Sequence, residues 1–98
     1  MFRHVVLLKW KAEATAAQKQ AVLDGLAELP GAIPEIRSYV FGADAAISDG
    51  NHDLAVVADF DDAEGYLVYA AHPVHVALIT EKIRPILAAR AAVQYEVS

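Results

Sequence analysis

The chain has 98 residues, carries a formal net charge of -5 and is 56% hydrophobic. Its eight Lys and Arg are scattered, so no basic stripe exists to neutralise consecutive phosphates, and nucleic acid is not an expected partner. It has no cysteine, which removes disulfides and thiolate nucleophiles, and its apolar runs fall short of the ~20 residues that cross a bilayer, so no membrane partner is expected.

The length predicts one domain over residues 1–98, large enough to bury roughly 65% of its unfolded surface without staples. Its apolar content exceeds the usual range for a small domain, and the surplus predicts a second buried surface in the form of a subunit interface. The opening residues lead straight into a strand rather than a cleavable signal, and a cytoplasmic protein is expected. Neither glycine-rich nucleotide motifs nor Cys/His zinc spacings occur, so no cofactor or metal is expected.

Residues 2–10 alternate, with Phe2, His4, Val6, Leu8 and Trp10 on one side and Arg3, Val5, Leu7 and Lys9 on the other, as a strand requires. Thr15 followed by Gln18 predicts a capping box. Val22, Leu26 and Leu29 then recur at i, i+4 and i+7, an amphipathic helix that Pro30-Gly31 is expected to close. Ile36–Phe41 reads as a second strand, the loop Gly42–Asn51 contains a Ser-Asp-Gly-Asn turn, and Asp53–Phe60 reads as a third strand.

Asp61 with Glu64 predicts the cap of a second helix, which Pro73 must interrupt because it lacks a backbone donor. Pro73 belongs in the first turn of a following helix, with His72 near its cap. Val76, Ile79 and Ile83 carry that helix to Arg84, the residue before Pro85, where it is expected to end. A turn over Ile86–Ala92 then delivers the last strand, Val93–Val97.

The order β-α-β-β-α-β predicts an α+β, ferredoxin-like sandwich, with helices on one face of a four-stranded antiparallel sheet. The other face is bare and apolar. Val5, Leu7, Ala55 and Val57 occupy it, joined by Tyr39 and Phe41 if alternation is extended into the second strand. Two copies meeting sheet to sheet would bury it, so a homodimer with two-fold symmetry is expected.

The densest chemistry lies between Tyr66 and His75, where two tyrosines, two histidines and a proline share ten residues. Imidazole takes and returns a proton near neutrality, so His75 is the expected general base and Tyr69 the donor to a developing oxyanion. His4, pointing toward the helices, and His72 are expected to face the substrate. Three imidazoles also invite a zinc reading. Catalytic zinc needs three converging ligands, and His72 at a helix start reads as a cap instead. Tyr66 reads as core or interface, and His52 as a solvated turn residue.

Several segments resemble one known family. They are Arg-His-Val-Val-Leu-Leu-Lys-Trp-Lys at 3–11, Leu-Pro-Gly-Ala-Ile-Pro-Glu-Ile at 29–36, Gly42, Asp-Phe-Asp-Asp at 59–62 and Tyr69-x-x-His-Pro-x-His75. Together they resemble the stress-responsive dimeric α/β-barrel (Dabb) family over essentially the whole chain. The resemblance implies two ferredoxin-like subunits joined into one barrel. A plant member, olivetolic acid cyclase, closes a polyketide by an aldol-type cyclisation. The resemblance lays its catalytic tyrosine and histidine onto Tyr69 and His75, and its strand-one histidine onto His4. Its other pocket tyrosine and its strand-three histidine align with Leu26 and Leu54.

Two functional readings follow. In one, a homodimer holds a small apolar pocket for a hydrophobic or aromatic molecule, with acid–base chemistry of an aldol or cyclising kind. In the other, a non-catalytic stress or assembly protein uses the same residues only to fix the helix break. The first needs open volume beside the rings, whereas the second expects Leu26 and Leu54 to fill it.

Overall fold

The computed structural model describes residues 1–98. Alternation carries β1 over Phe2–Trp10, and the elements that follow are α1 (Ala16–Ala32), β2 (Ser38–Ala43), β3 (Leu54–Phe60), α2 (Ala63–Ala71), α3 (Pro73–Leu78) and β4 (Leu87–Glu96). Between α3 and β4 the chain stays helical through a wide turn, Ile79–Ile83, and a tight one, Arg84–Ile86. The strands form one antiparallel sheet in the order β2-β3-β1-β4. This is the expected ferredoxin-like arrangement. No helix is long and apolar enough to cross a membrane.

Register decides which residues meet. His4, Val6 and Leu8 stand opposite Ala58, Val56 and Leu54, and all six are buried beneath the helices. Val5 and Leu7 stand opposite Val57 and Ala55 on the uncovered face. The core between sheet and helices includes Phe60, Leu29, Ile33 and Val22, each fully enclosed. Each such side chain contributes about 1.5–3 kcal/mol relative to exposure.

Helix α1 starts as expected, with the Thr15 hydroxyl accepting from the Gln18 N–H at 3.1 Å and the Gln18 side chain accepting from the Thr15 N–H at 2.8 Å. It does not stop at Pro30. The helix runs on to Ala32, and the Ile33 N–H closes it on the Leu29 carbonyl at 2.9 Å. Ile33 extends the buried row Val22, Leu26, Leu29 by one more i+4 step, and its burial outweighs the donor that the exposed Pro30 fails to supply.

Strand β2 begins two residues later than expected, and its faces are reversed. Tyr39 and Phe41 stand opposite Ala58 and Val56, so both aromatic rings lie under the helices, while Val40 faces out and is 63% exposed. Burying two rings in place of one valine side chain favours this register. In the loop that follows, Gly50 adopts a φ of 84°, the left-handed conformation that glycine takes at little cost.

The cap of α2 is Asp62 rather than Asp61, its carboxylate accepting from the Gly65 N–H at 2.9 Å. Asp61 instead forms a two-pronged pair with Arg37 at 3.0 and 3.1 Å. The helical run also passes the expected stop at Arg84 and continues to Ile86. Pro85 disfavours a helical conformation at Arg84, yet Ile83 and Ile86 are both buried by it. Strand β4 therefore starts at Leu87 rather than Val93. Its residues 90, 92 and 94 stand opposite Leu8, Val6 and His4, which puts Arg90 and Gln94 on the helix side of the sheet.

Candidate active site

The site begins with a helix break. Pro73 has no N–H for the Tyr69 carbonyl, which takes the His72 N–H instead at 3.2 Å. In a continuous helix the Ala70 carbonyl would receive the Val74 N–H. Here the His72 Nδ1 accepts that N–H at 3.2 Å. The Ala70 carbonyl is left free, and His75 Nδ1 meets it at 3.2 Å. A carbonyl only accepts, so Nδ1 carries the proton. The remaining nitrogen, Nε2, holds a lone pair.

His4 is set the opposite way. The Gln94 amide lies 3.0 Å from His4 Nδ1; with its Nε2 as donor, Nδ1 accepts and Nε2 carries the hydrogen. No fully buried side-chain nitrogen or oxygen lacks a partner, so the unpaired Nε2 atoms of both rings reach open volume. One imidazole presents an acceptor and the other a donor. Burial pushes His4 down to about 4, helped by the positive fields of Arg90 and His75. Burial also lowers His75, against the opposing effect of its bond to Ala70, and Arg90 lowers it further. Both rings are neutral at pH 7.

Tyr69, buried on α2, connects these groups. Its ring stacks on His75 with centroids 4.1 Å apart, and its hydroxyl lies 3.0 Å from that of Tyr39. Burial raises both phenols above their ordinary value, while the Tyr39 bond partly offsets this at Tyr69. They remain neutral hydrogen-bond donors. Tyr66 packs its ring 4.8 Å from that of His4.

These side chains line a cavity of about 350 Å³ between sheet and helices. Its apolar wall includes Leu26, Val56, Leu78 and Ile83, and Arg84 and Arg90 join the lining. Of the four residues expected from sequence, the fold gathers His4, Tyr69 and His75 here. His72 lies outside the cavity and acts through the backbone at the break. Leu26 lines the cavity without filling it, and Leu54 is buried in the core. Tyr39 was missed because β2 was given the wrong face, Arg90 because β4 was started too late, and Gln94, inside the expected strand, because only the pairing of β4 with β1 sets it opposite His4. A second hollow, of about 490 Å³, lies beside Leu7 and the loop before β3. His52 lines it, half-buried, with no tyrosine or second histidine. No group of three His, Cys, Asp or Glu side chains converges to hold a metal.

The chain is similar to several characterised folds. A dimeric ferredoxin-like protein of unknown function from Thermobifida fusca is 44% identical, with a TM-score of 0.90 over 98% of this chain and 90% of that one. A hydroxynitrile lyase from Passiflora edulis shares the fold at 17% identity and a TM-score of 0.86, over 99% of this chain and 93% of that one. A stress-response A/B barrel domain-containing protein of Arabidopsis thaliana is 28% identical over 82 residues, 76% of this chain and 68% of its own. The profile of the stress responsive A/B barrel domain matches residues 2–97. With a match that spans the whole sheet and all its helices, the chain belongs to the stress-responsive A/B barrel (Dabb) family.

Proposed function

We propose that this protein works as a homodimer whose cavity takes a hydrophobic or aromatic carbonyl compound and moves a proton next to the carbonyl, as aldol and cyclising reactions require. The observation that carries the reading is the pairing of functions across one cavity: a lone pair on His75 Nε2 and hydrogens on Tyr69 and His4. His75 Nε2 takes a proton from the carbon beside the carbonyl. The electron pair of the broken C–H bond forms a carbon–carbon double bond as the carbonyl π pair moves onto oxygen, where the Tyr69 hydroxyl and His4 Nε2–H stabilise the enolate. A volume of about 350 Å³ falls within the range of small-molecule sites. Dimeric relatives, including the Thermobifida fusca protein, and the exposed apolar sheet face support self-association.

Exchange of α-protons in D₂O tests this without knowledge of the natural substrate. With 4-phenyl-2-butanone as probe, the wild type is expected to accelerate exchange at the carbons flanking the carbonyl. His75→Ala should lose about 10²–10⁴ of that acceleration while remaining folded and dimeric. Exchange at the buffer rate, with no binding of the ketone, sinks the proposal. The bond between His75 and Ala70 favours a second, non-catalytic reading, in which His75 only fixes the helix break. That reading expects His75→Ala to lower the melting temperature through a lost hydrogen bond, on the order of 1 kcal/mol, in a protein whose wild type leaves the ketone untouched.

A further inference from the structure

Resting on the same cavity, we propose that its ligand is an anion, an aromatic or alkyl carboxylic acid whose carboxylate is held by Arg90 and Arg84 of the cavity lining. The chain has four arginines. Arg3 is engaged by Asp59 at 2.7 and 2.9 Å, and Arg37 by Asp61. The guanidinium groups of the other two make no ion pair or side-chain hydrogen bond within the chain, and both residues line this cavity.

That placement is notable in a chain with 13 acidic residues against eight Lys and Arg, because no Asp, Glu or Lys lines the cavity with them. A guanidinium matches a carboxylate with two parallel N–H donors, a geometry that lysine lacks. The rest of the wall is mostly apolar. An engineered cavity of ~150 Å³ holds benzene, so about 350 Å³ accommodates a ring with a short chain. The ligand class is therefore a small monocarboxylate with an apolar body. The positive field of Arg90 already reaches His4, Tyr69 and His75, so a carboxylate bound there would favour protonation of both imidazoles.

Titration calorimetry with 4-phenylbutyrate and its neutral counterpart 4-phenylbutan-1-ol tests the inference. The wild type is expected to bind the acid about tenfold or more tightly than the alcohol. Arg90→Gln, and Arg84→Gln to a lesser or equal degree, should remove that preference and leave alcohol binding within about twofold. Equal binding of acid and alcohol by the wild type overturns the carboxylate assignment while leaving the pocket reading standing. A preference that survives in the double variant overturns it as well. If neither probe binds, the pocket reading falls and the assignment falls with it.

Discussion

Lowering the pH from 7.5 to 4.5 should destabilise the protein through His4. In the unfolded chain this imidazole titrates near 6.5, and in the fold burial pushes it down to about 4. The folded state therefore binds the proton less readily than the unfolded state over the whole interval between those values. Stability is fully present above 6.5 and is lost as pH falls toward 4. At 1.36 kcal/mol per pKa unit the loss amounts to about 3 kcal/mol, most of it realised by pH 4.5. For a domain of this size that corresponds to a fall in Tm of more than ~10 °C. The carboxylates of Asp59 and Asp61 are lowered by their bonds to Arg3 and Arg37, so they titrate below this window and do not confuse it. His75, lowered for the same main reason, adds a loss of the same sign. Thermal melts of wild type and His4→Gln at both pH values isolate the His4 share, since glutamine can still bond Gln94 but does not titrate. If His4→Gln loses as much stability between the two values as the wild type does, His4 is not held neutral by burial and its assignment as a hydrogen donor fails.

Two further predictions concern the interface and the cavity wall. Light scattering should give the wild type twice the 10.5 kDa mass of one chain, and Leu7→Asp should shift it to monomer or to insolubility, because a charge would be buried between apolar sheet faces; a wild-type monomer at micromolar concentration refutes this. A Cβ on Gly25 would overlap Leu78 Cδ1, and Leu78 is part of the cavity wall, so displacing it reshapes that wall. Gly25→Ala gains about 1 kcal/mol of helix propensity and loses about 0.5–1.5 kcal/mol in displaced rotamer. The melting temperature should therefore change little while 4-phenylbutyrate binding weakens several-fold, and unchanged binding counts against it.

The sheet and its helix-covered face were legible from β1 and β3, where both faces are apolar in the middle but most of the larger side chains, Phe2, Leu8, Trp10, Leu54 and Phe60, fall on one of them. The capping box at Thr15 and the break at Pro73 were legible for a related reason: each depends on a local group, a hydroxyl or a missing N–H, that acts whatever the tertiary context. Reading failed where a local rule competed with burial. Pro30 and Pro85 both signal a stop, but Ile33 and Ile86 stand beyond them at positions that complete the core, and packing won. Ile33 could have been found as the next i+4 step after Leu29. Arg90 was recoverable too, because the alternation of Ala89, Ala91, Val93 and Tyr95 against Arg90, Ala92, Gln94 and Glu96 runs back well before Val93. Tyr39 was harder. Strand β2 is two-sided in its apolar content, so only pairing with β3 fixes which face carries the ring.

The same competition explains why a cavity survives in so small a core. Helix α2 ends and α3 begins within two residues, and the wide turn that follows carries the Arg84 N–H to the Ile79 carbonyl, a fifth-residue bond. Wide turns of this kind occur often at functional sites. Each irregularity costs backbone regularity, and each is stabilised by a named group: His72 accepts the Val74 N–H, His75 donates to the Ala70 carbonyl, and Ile83 and Ile86 anchor the far end in the core. A continuous helix would return the Val74 N–H to Ala70 and deprive the His75 ring of the carbonyl that fixes its tautomer. His-Pro-x-His is thus one device. Its first histidine occupies the donor that would otherwise compete, its proline prevents the helix from healing, and its second histidine is left with a lone pair facing the open volume.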